Sequence, residues 1–164
     1  ANKGDIKWAE NAKVGYCPQD STADFDTDLN LFDWMSQWRR PCHNDLMVRG
    51  MLGRLLFTED DANKKAKNCS GGEKNRLLFG MLMMQDINVL IMDEPTNHMD
   101  IEAIDALNNA LKEFEGTLIF VSHDREFVSS LANRIIDIKD QKVINFDGTL
   151  DEYLVSQVGE KKVA

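Results

Sequence analysis

Short apolar runs alternate along this chain with longer stretches of helical periodicity, a pattern that belongs to an α/β fold rather than an all-α or all-β one. Ile6–Trp8 and Val14–Cys17 read as short strands, the second ended by Pro18. Leu31, Trp34, Met35 and Trp38 then recur at helical spacing, with Asn30 as N-cap and Pro41 beyond the end. A second helix starts near Asn44 and turns Met47, Val48, Met51, Leu52, Leu55 and Leu56 inward, while Gly50 and Gly53 weaken its interior. Thr58 caps a further turn, and Lys64, Lys65 and Lys67 form a small basic run read as a solvated face.

The best helix start is at Ser70 and Glu73, an S-x-x-E capping box ahead of Leu77, Leu78, Met81 and Leu82. That helix is expected to end near Gln85, where Val89–Met92 begins an apolar strand of the kind buried in parallel sheets. Asp100 opens the next helix, with Ile101, Ile104, Leu107 and Leu111 inward and Gly116 as its stop. Thr117–Val121 reads as a second buried strand, and Ser122-His123-Asp124 turns it into a short helix. Ile135–Ile138 and Val143–Phe146 read as a hairpin, after which Thr149 and Glu152 cap a last helix. The organisation expected is one α/β unit over residues 1–164, a parallel sheet core with a helical subdomain at 29–79 inserted into it.

Composition adds bounds. The 164 residues carry 28 acidic and 19 basic side chains, a net charge of −9, which argues against a broad nucleic-acid groove or anionic-membrane surface. No apolar run reaches the roughly 18 residues of a membrane-spanning helix, and no secretory leader is read at Ala1–Asp5. Cys17, Cys42 and Cys69 are widely spaced, which fits a reducing cytoplasm better than a disulfide framework or zinc knuckle.

Three places carry chemistry. The Val89–Met92 strand delivers Asp93 and Glu94 to its C-terminal end, the edge where open parallel sheets bind ligands. Two adjacent carboxylates invite a hard cation such as Mg²⁺. The Thr117–Val121 strand brings His123 to the same topological position. Ser70-Gly71-Gly72-Glu73 opens a helix whose unpaired N–H groups and positive dipole end suit a phosphate. Each feature alone has a bland reading: a solvated loop, a structural histidine, a flexible cap.

Together they resemble the ATP-binding-cassette ATPases from about Val14 to Tyr153. Cys69–Glu73 is similar to the family signature, Val89–Glu94 to its Walker B strand, His123 to its switch histidine and Gln19 to its Q-loop glutamine. The stretch Glu94-Pro95-Thr96-Asn97-His98-Met99-Asp100 resembles the ABC-F branch, soluble factors that act on ribosomes. Gly53–Phe57 and Phe146–Tyr153 look closest to the second cassette of YbiT-type members. The resemblance implies a P-loop-NTPase-like fold with ATP and Mg²⁺ as ligands. It implies that Asp93 and Gln19 serve the metal, that Glu94, His123 and Gln19 act in hydrolysis, and that Ser70, Gly71, Gly72, Glu73 and Asp100 meet a nucleotide shared with a second cassette of the same parent chain. It further implies a cytoplasmic protein, with ribosome contacts made by segments outside this stretch and no membrane insertion.

Two departures temper this. Cys69 and Met99 stand where the family usually has Leu, similar in role. More important, the sequence contains no Gly-Lys and so no G-x-x-x-x-G-K-[ST] loop for the β- and γ-phosphates. The expectation is a C-terminal portion of one cassette, inactive alone and an ATPase within its intact parent. The alternative reading is the ATP-binding subunit of a membrane transporter.

Overall fold

The computed structural model describes residues 4–18, 22–139 and 141–160. The chain forms two compact units, Ala1–Val121 and Ser122–Ala164. In the first, strands β1 (Val14–Cys17), β2 (Val89–Asp93) and β3 (Thr117–Val121) pair in parallel, with β2 central. The register sets Tyr16 beside Ile91 beside Ile119, and Asp93 beside Val121. Parallel pairing demands long crossovers. The β1–β2 connection contains helices α1 (Leu31–Ser36), α2 (Asp45–Arg54) and α3 (Gly71–Met84), and the β2–β3 connection contains α4 (Ile101–Lys112).

The caps lie where the polar residues put them. The side chains of Asn30, Asn44, Ser70 and Asp100 each accept a backbone N–H in the first turn of α1, α2, α3 and α4 respectively. Helix α3 is the pillar of this unit. It buries Leu77, Leu78, Phe79, Leu82 and Met84 and packs against β1 at one end and α1 and α2 along its side. Its Gly80 permits that approach: a Cβ there would lie 2.4 Å from Leu55 Cδ1 and 3.0 Å from Met35 Cε. Trp34 of α1 stacks on Phe25 at 4.6 Å between ring centroids and donates its indole N–H to the Asp24 carbonyl.

Several expectations are corrected. Ile6–Trp8 forms no strand; the run is short and finds no ladder partner, and Ile6 and Trp8 stay exposed. In β2 only Leu90 and Met92 are buried, alternate residues as the pleat gives when one face is covered, and β3 buries none of its residues, Leu118 and Phe120 being only half-buried. Met47 faces solvent, and Leu56 lies beyond the end of α2 with φ +63°, outside the helical path that the periodicity extended to it. Trp38 falls after α1 and is partly exposed. Ile101, first residue of α4, is exposed, while Ala103, Leu107 and Leu111 form the buried face of that helix. Helix α4 ends at Lys112 rather than at Gly116, which instead passes close to the Phe114 ring and the Asn88 carbonyl.

The second unit contains α5 (Arg125–Leu131, capped by Asp124), the antiparallel hairpin of β4 (Arg134–Lys139) and β5 (Lys142–Asp147), and α6 (Leu150–Glu160). Thr149 and Glu152 exchange backbone-to-side-chain hydrogen bonds at the start of α6. Tyr153 anchors that helix on the hairpin, its hydroxyl 2.6 Å from Asp137 Oδ2 and its ring against Phe146. Among the described residues no helix is long and apolar enough to cross a membrane.

Candidate functional site

The central strand β2 ends at Asp93, half-buried, with Val121 as its neighbour on β3. Glu94 then leaves the strand. Its N–H donates to the Val121 carbonyl at 2.9 Å, and its φ of +47° lies in the left-handed region that non-glycine residues rarely adopt. The chain folds into a tight turn in which Asn97 N donates to the Glu94 carbonyl at 3.1 Å and Met99 N to the Thr96 carbonyl at 3.2 Å. Pro95 and Thr96 are buried beneath it. His98 is a second left-handed residue, at φ +63°. Asp100 closes the loop by accepting Ala103 N at 2.8 Å as the cap of α4.

The N-terminal turn of α3 seats on this loop. A Cβ on Gly72 would stand 2.7 Å from the His98 carbonyl oxygen, whereas one on Gly71 would meet only His98 Cβ, at 3.7 Å. Asn75, one turn on, donates through Nδ2 to the Asn97 carbonyl at 3.2 Å. The glycines therefore differ. Gly72 is demanded by the neighbouring backbone, while Gly71 faces solvent.

The capping box at this end is complete. Ser70 Oγ accepts Glu73 N at 3.3 Å, and Glu73 Oε2 accepts Ser70 N at 2.7 Å. Lys64 adds a third arm: its ammonium donates to both Glu73 oxygens, at 2.9 and 2.8 Å. Burial alone would raise the Glu73 carboxyl, but the Lys64 ammonium and the Ser70 amide outweigh it and hold it below its ordinary 4.5. The hydrogen bond to Glu73 raises Lys64 in turn. Of the basic run, Lys64 alone is thus drawn into this helix end, while Lys65 and Lys67 stay exposed, as a solvated face would have them. Lys65 and Lys67 both pair with Asp28 at 2.9 and 2.7 Å. Cys69, just ahead of the box, is buried, and desolvation pushes its thiol up.

The structure thus gathers Ser70, Gly71, Gly72, Glu73, Asp93, Glu94 and Asp100 in the first unit, around one loop and one helix end. Gln19 lies outside the described residues. His123 belongs to the second unit, exposed, between Ser122, whose Oγ accepts Asp124 N, and the α5 cap. Sequence reasoning missed Lys64 and Asn75. Lys64 was concealed in a charge run, although it lies nine residues ahead of the box glutamate; Asn75 gave no signal, because its partner is a carbonyl far along the chain.

A hard cation fits this site in one way. Among the described residues no group of three or more His, Cys, Asp or Glu side chains is placed to hold a metal. Mg²⁺ is commonly held by one or two carboxylates, with waters and phosphate oxygens filling the rest. Asp93 at the strand end is such a carboxylate.

The family described as ABC transporter matches residues 2–97, more than half the chain and inclusive of Ser70–Glu73, Asp93 and Glu94. This chain belongs to that family. Over 156 residues it is 57% identical to the probable ATP-binding protein YbiT of Escherichia coli O157:H7, covering 95% of this chain and 29% of that protein. It is 35% identical over 153 residues to ABC transporter F family member 5 of Arabidopsis thaliana, covering 93% of this chain and 22% of that one. The chain therefore spans less than a third of the length of these relatives. Among solved structures it is similar to an RNase-L inhibitor, at TM-score 0.74 and 20% identity over 97% of this chain and 32% of that one. It is also similar to an archaeal ribosome recycling factor solved with a ribosomal stalk protein, at TM-score 0.73 and 21% identity over 94% of this chain and 32% of that one. At these identities the structures speak for the fold, the α/β architecture of P-loop NTPase-type ABC cassettes.

Proposed function

We propose that this chain is the signature- and Walker-B-bearing part of an ATP-hydrolysing cassette in an ABC-F factor that works on ribosomes in the cytoplasm. The observation that carries the reading is the joining of Ser70–Gly72 to the Glu94–Asp100 loop, which sets an anion-binding helix end beside a strand-end carboxylate pair. In this reading ATP is the substrate, and Asp93, with Gln19, holds Mg²⁺, whose charge offsets that developing on the phosphates. Glu94 takes the proton of the attacking water, a task set by in-line placement. His123 senses the γ-phosphate. The amides of Gly71 and Gly72 and the Ser70 hydroxyl meet the γ-phosphate of a nucleotide held by a second cassette, with Asp100 at the same interface. Glu73 keeps that end in shape, through Ser70 and Lys64.

The 57% identity to YbiT and the 35% identity to an F family member support the ribosomal reading over the transporter one. The test uses the full-length protein with Glu94→Gln, which keeps the shape and removes the base. ATP-dependent co-sedimentation with ribosomes through sucrose, together with strongly slowed turnover, is the expected result. Recovery with an integral membrane protein, and none with ribosomes, overturns it in favour of the transporter. Turnover at the parental rate overturns the role of Glu94.

A further inference from the structure

We infer that Asn75 is a positioning residue for Glu94, acting through the turn between them; this rests on the catalytic reading of Glu94 above. Two residues of that turn, Glu94 and His98, hold left-handed backbone at φ +47° and +63°. Such conformations persist only where the surroundings over-determine them. Within the turn, Asn97 is bonded on both sides. Its N–H donates to the Glu94 carbonyl at 3.1 Å, and its own carbonyl accepts the Asn75 side-chain amide at 3.2 Å.

Asn75 and Gly72 are three residues apart on α3, hence on one face of the helix. Gly72 seats the His98 carbonyl by steric fit, and Asn75 fixes the preceding carbonyl by a directed hydrogen bond. The contact resists both approach and sliding. Only a donor serves at position 75, since an oxygen there would face the Asn97 carbonyl oxygen. The first turns of α3 and the loop from Glu94 to Asp100 thus move as one body, so displacement of the Ser70–Gly72 end is passed to Glu94 of the same cassette.

The full-length protein carries the test, with ATP turnover measured against ATP concentration. Asn75→Asp replaces the donor by an acceptor of the same shape and is expected to lower kcat about tenfold or more. The KM for ATP is expected to stay within about twofold, because no candidate nucleotide contact is touched. Asn75→Gln, which keeps an amide donor, recovers most of the rate, and Asn75→Ala serves where Asn75→Asp does not fold. Faster hydrogen exchange at the Asn97 and Met99 amides in Asn75→Ala is the expected companion result. A kcat within twofold of the parent in both donor-less variants overturns the inference. So does an equal loss in Asn75→Gln accompanied by a lowered melting temperature, which would mark a role in folding only. Glu94→Gln run beside them separates the two claims: parental turnover in that variant defeats the catalytic reading itself, whatever Asn75 does.

Discussion

The carbonyl oxygen of His98 occupies the place beside Gly72 where any side chain would begin, 2.7 Å from a Cβ built there. Two glycines in a row at a helix start invite the reading that both serve an anion. The two differ on the side where a Cβ would stand: at Gly72 that side is closed by the neighbouring loop, whereas at Gly71 it is open, and neither fact touches the amides. Gly72→Ala must therefore displace backbone rather than a flexible side-chain end, and is expected to destabilise the protein by about 1–3 kcal/mol. Gly71→Ala meets His98 Cβ only at ordinary contact distance, 3.7 Å, and is expected to change stability by less than about 0.5 kcal/mol. Denaturant titrations of the two variants check this. Equal losses would show that the loop yields to the added methyl.

Lys64 and Glu73 form an ion pair at 2.8 Å with side chains 32% and 20% exposed, which shields it more than the outer pairs. Lys64→Met is expected to cost about 0.5–1.5 kcal/mol at neutral pH. The sign with pH follows from the two shifts. Glu73 is depressed, so its share is present above its ordinary 4.5 and is lost as pH falls through the lowered folded value. Lys64 is raised, so its share is present below its ordinary 10.5 and is lost as pH rises through the raised value. The stability difference between parent and Lys64→Met should hold level from about pH 6 to 9 and shrink in acid well below 4.5. A difference unchanged at pH 3 would show that packing of the lysine stem, not the ion pair, is what counts.

The three cysteines should separate cleanly by reactivity. Cys42 is exposed, while Cys17 and Cys69 are buried. Burial pushes Cys17 up to about 11 and raises Cys69 as well. Thiolate is the reactive form. At pH 8 one thiol equivalent is expected to react with an aromatic disulfide reagent at once, and two more only in denaturant. Cys42→Ser should remove the fast phase. A fast phase surviving that change would mean that the segment around Cys69 opens.

What the sequence made legible follows the range of the interactions involved. Caps are local, and Asn30, Asn44, Ser70, Asp100 and Thr149 were each readable, because a short polar side chain bonds an amide two or three residues on. The order of strands and helices was readable from the change of period. Burial of whole strands was not. Apolar Ile119 and Val121 suggest a covered strand, yet both are exposed, since hydrophobicity records what a residue tolerates and not what lies above it. At the site, strand-end Asp93 and Glu94 were legible from position. The Asn75–Asn97 bond spans 22 residues and ends on a carbonyl, an acceptor that every residue carries and no sequence pattern marks.

These 164 residues alone are expected to hold ATP only weakly. Tight nucleotide binding in P-loop proteins needs backbone amides around the β-phosphate and a Lys reaching the γ-phosphate. This sequence contains no Gly-Lys, and what it offers is the α3 end, whose Glu73 amide is already taken by Ser70 Oγ at 3.3 Å. One helix terminus with a hydroxyl is worth about 1–2 kcal/mol toward an anion at best, and is screened by salt. The lysine bonded to the box, Lys64, is committed to Glu73 and does not replace a P-loop lysine. The isolated chain is therefore expected to bind ATP·Mg²⁺ only at millimolar concentrations and to release no phosphate. Isothermal titration and a phosphate-release assay on the purified 164-residue chain decide it. Micromolar affinity would mean that the described surface holds a nucleotide without a partner cassette, and the roles proposed for Ser70, Gly71 and Gly72 would then have to be recast as binding within one chain.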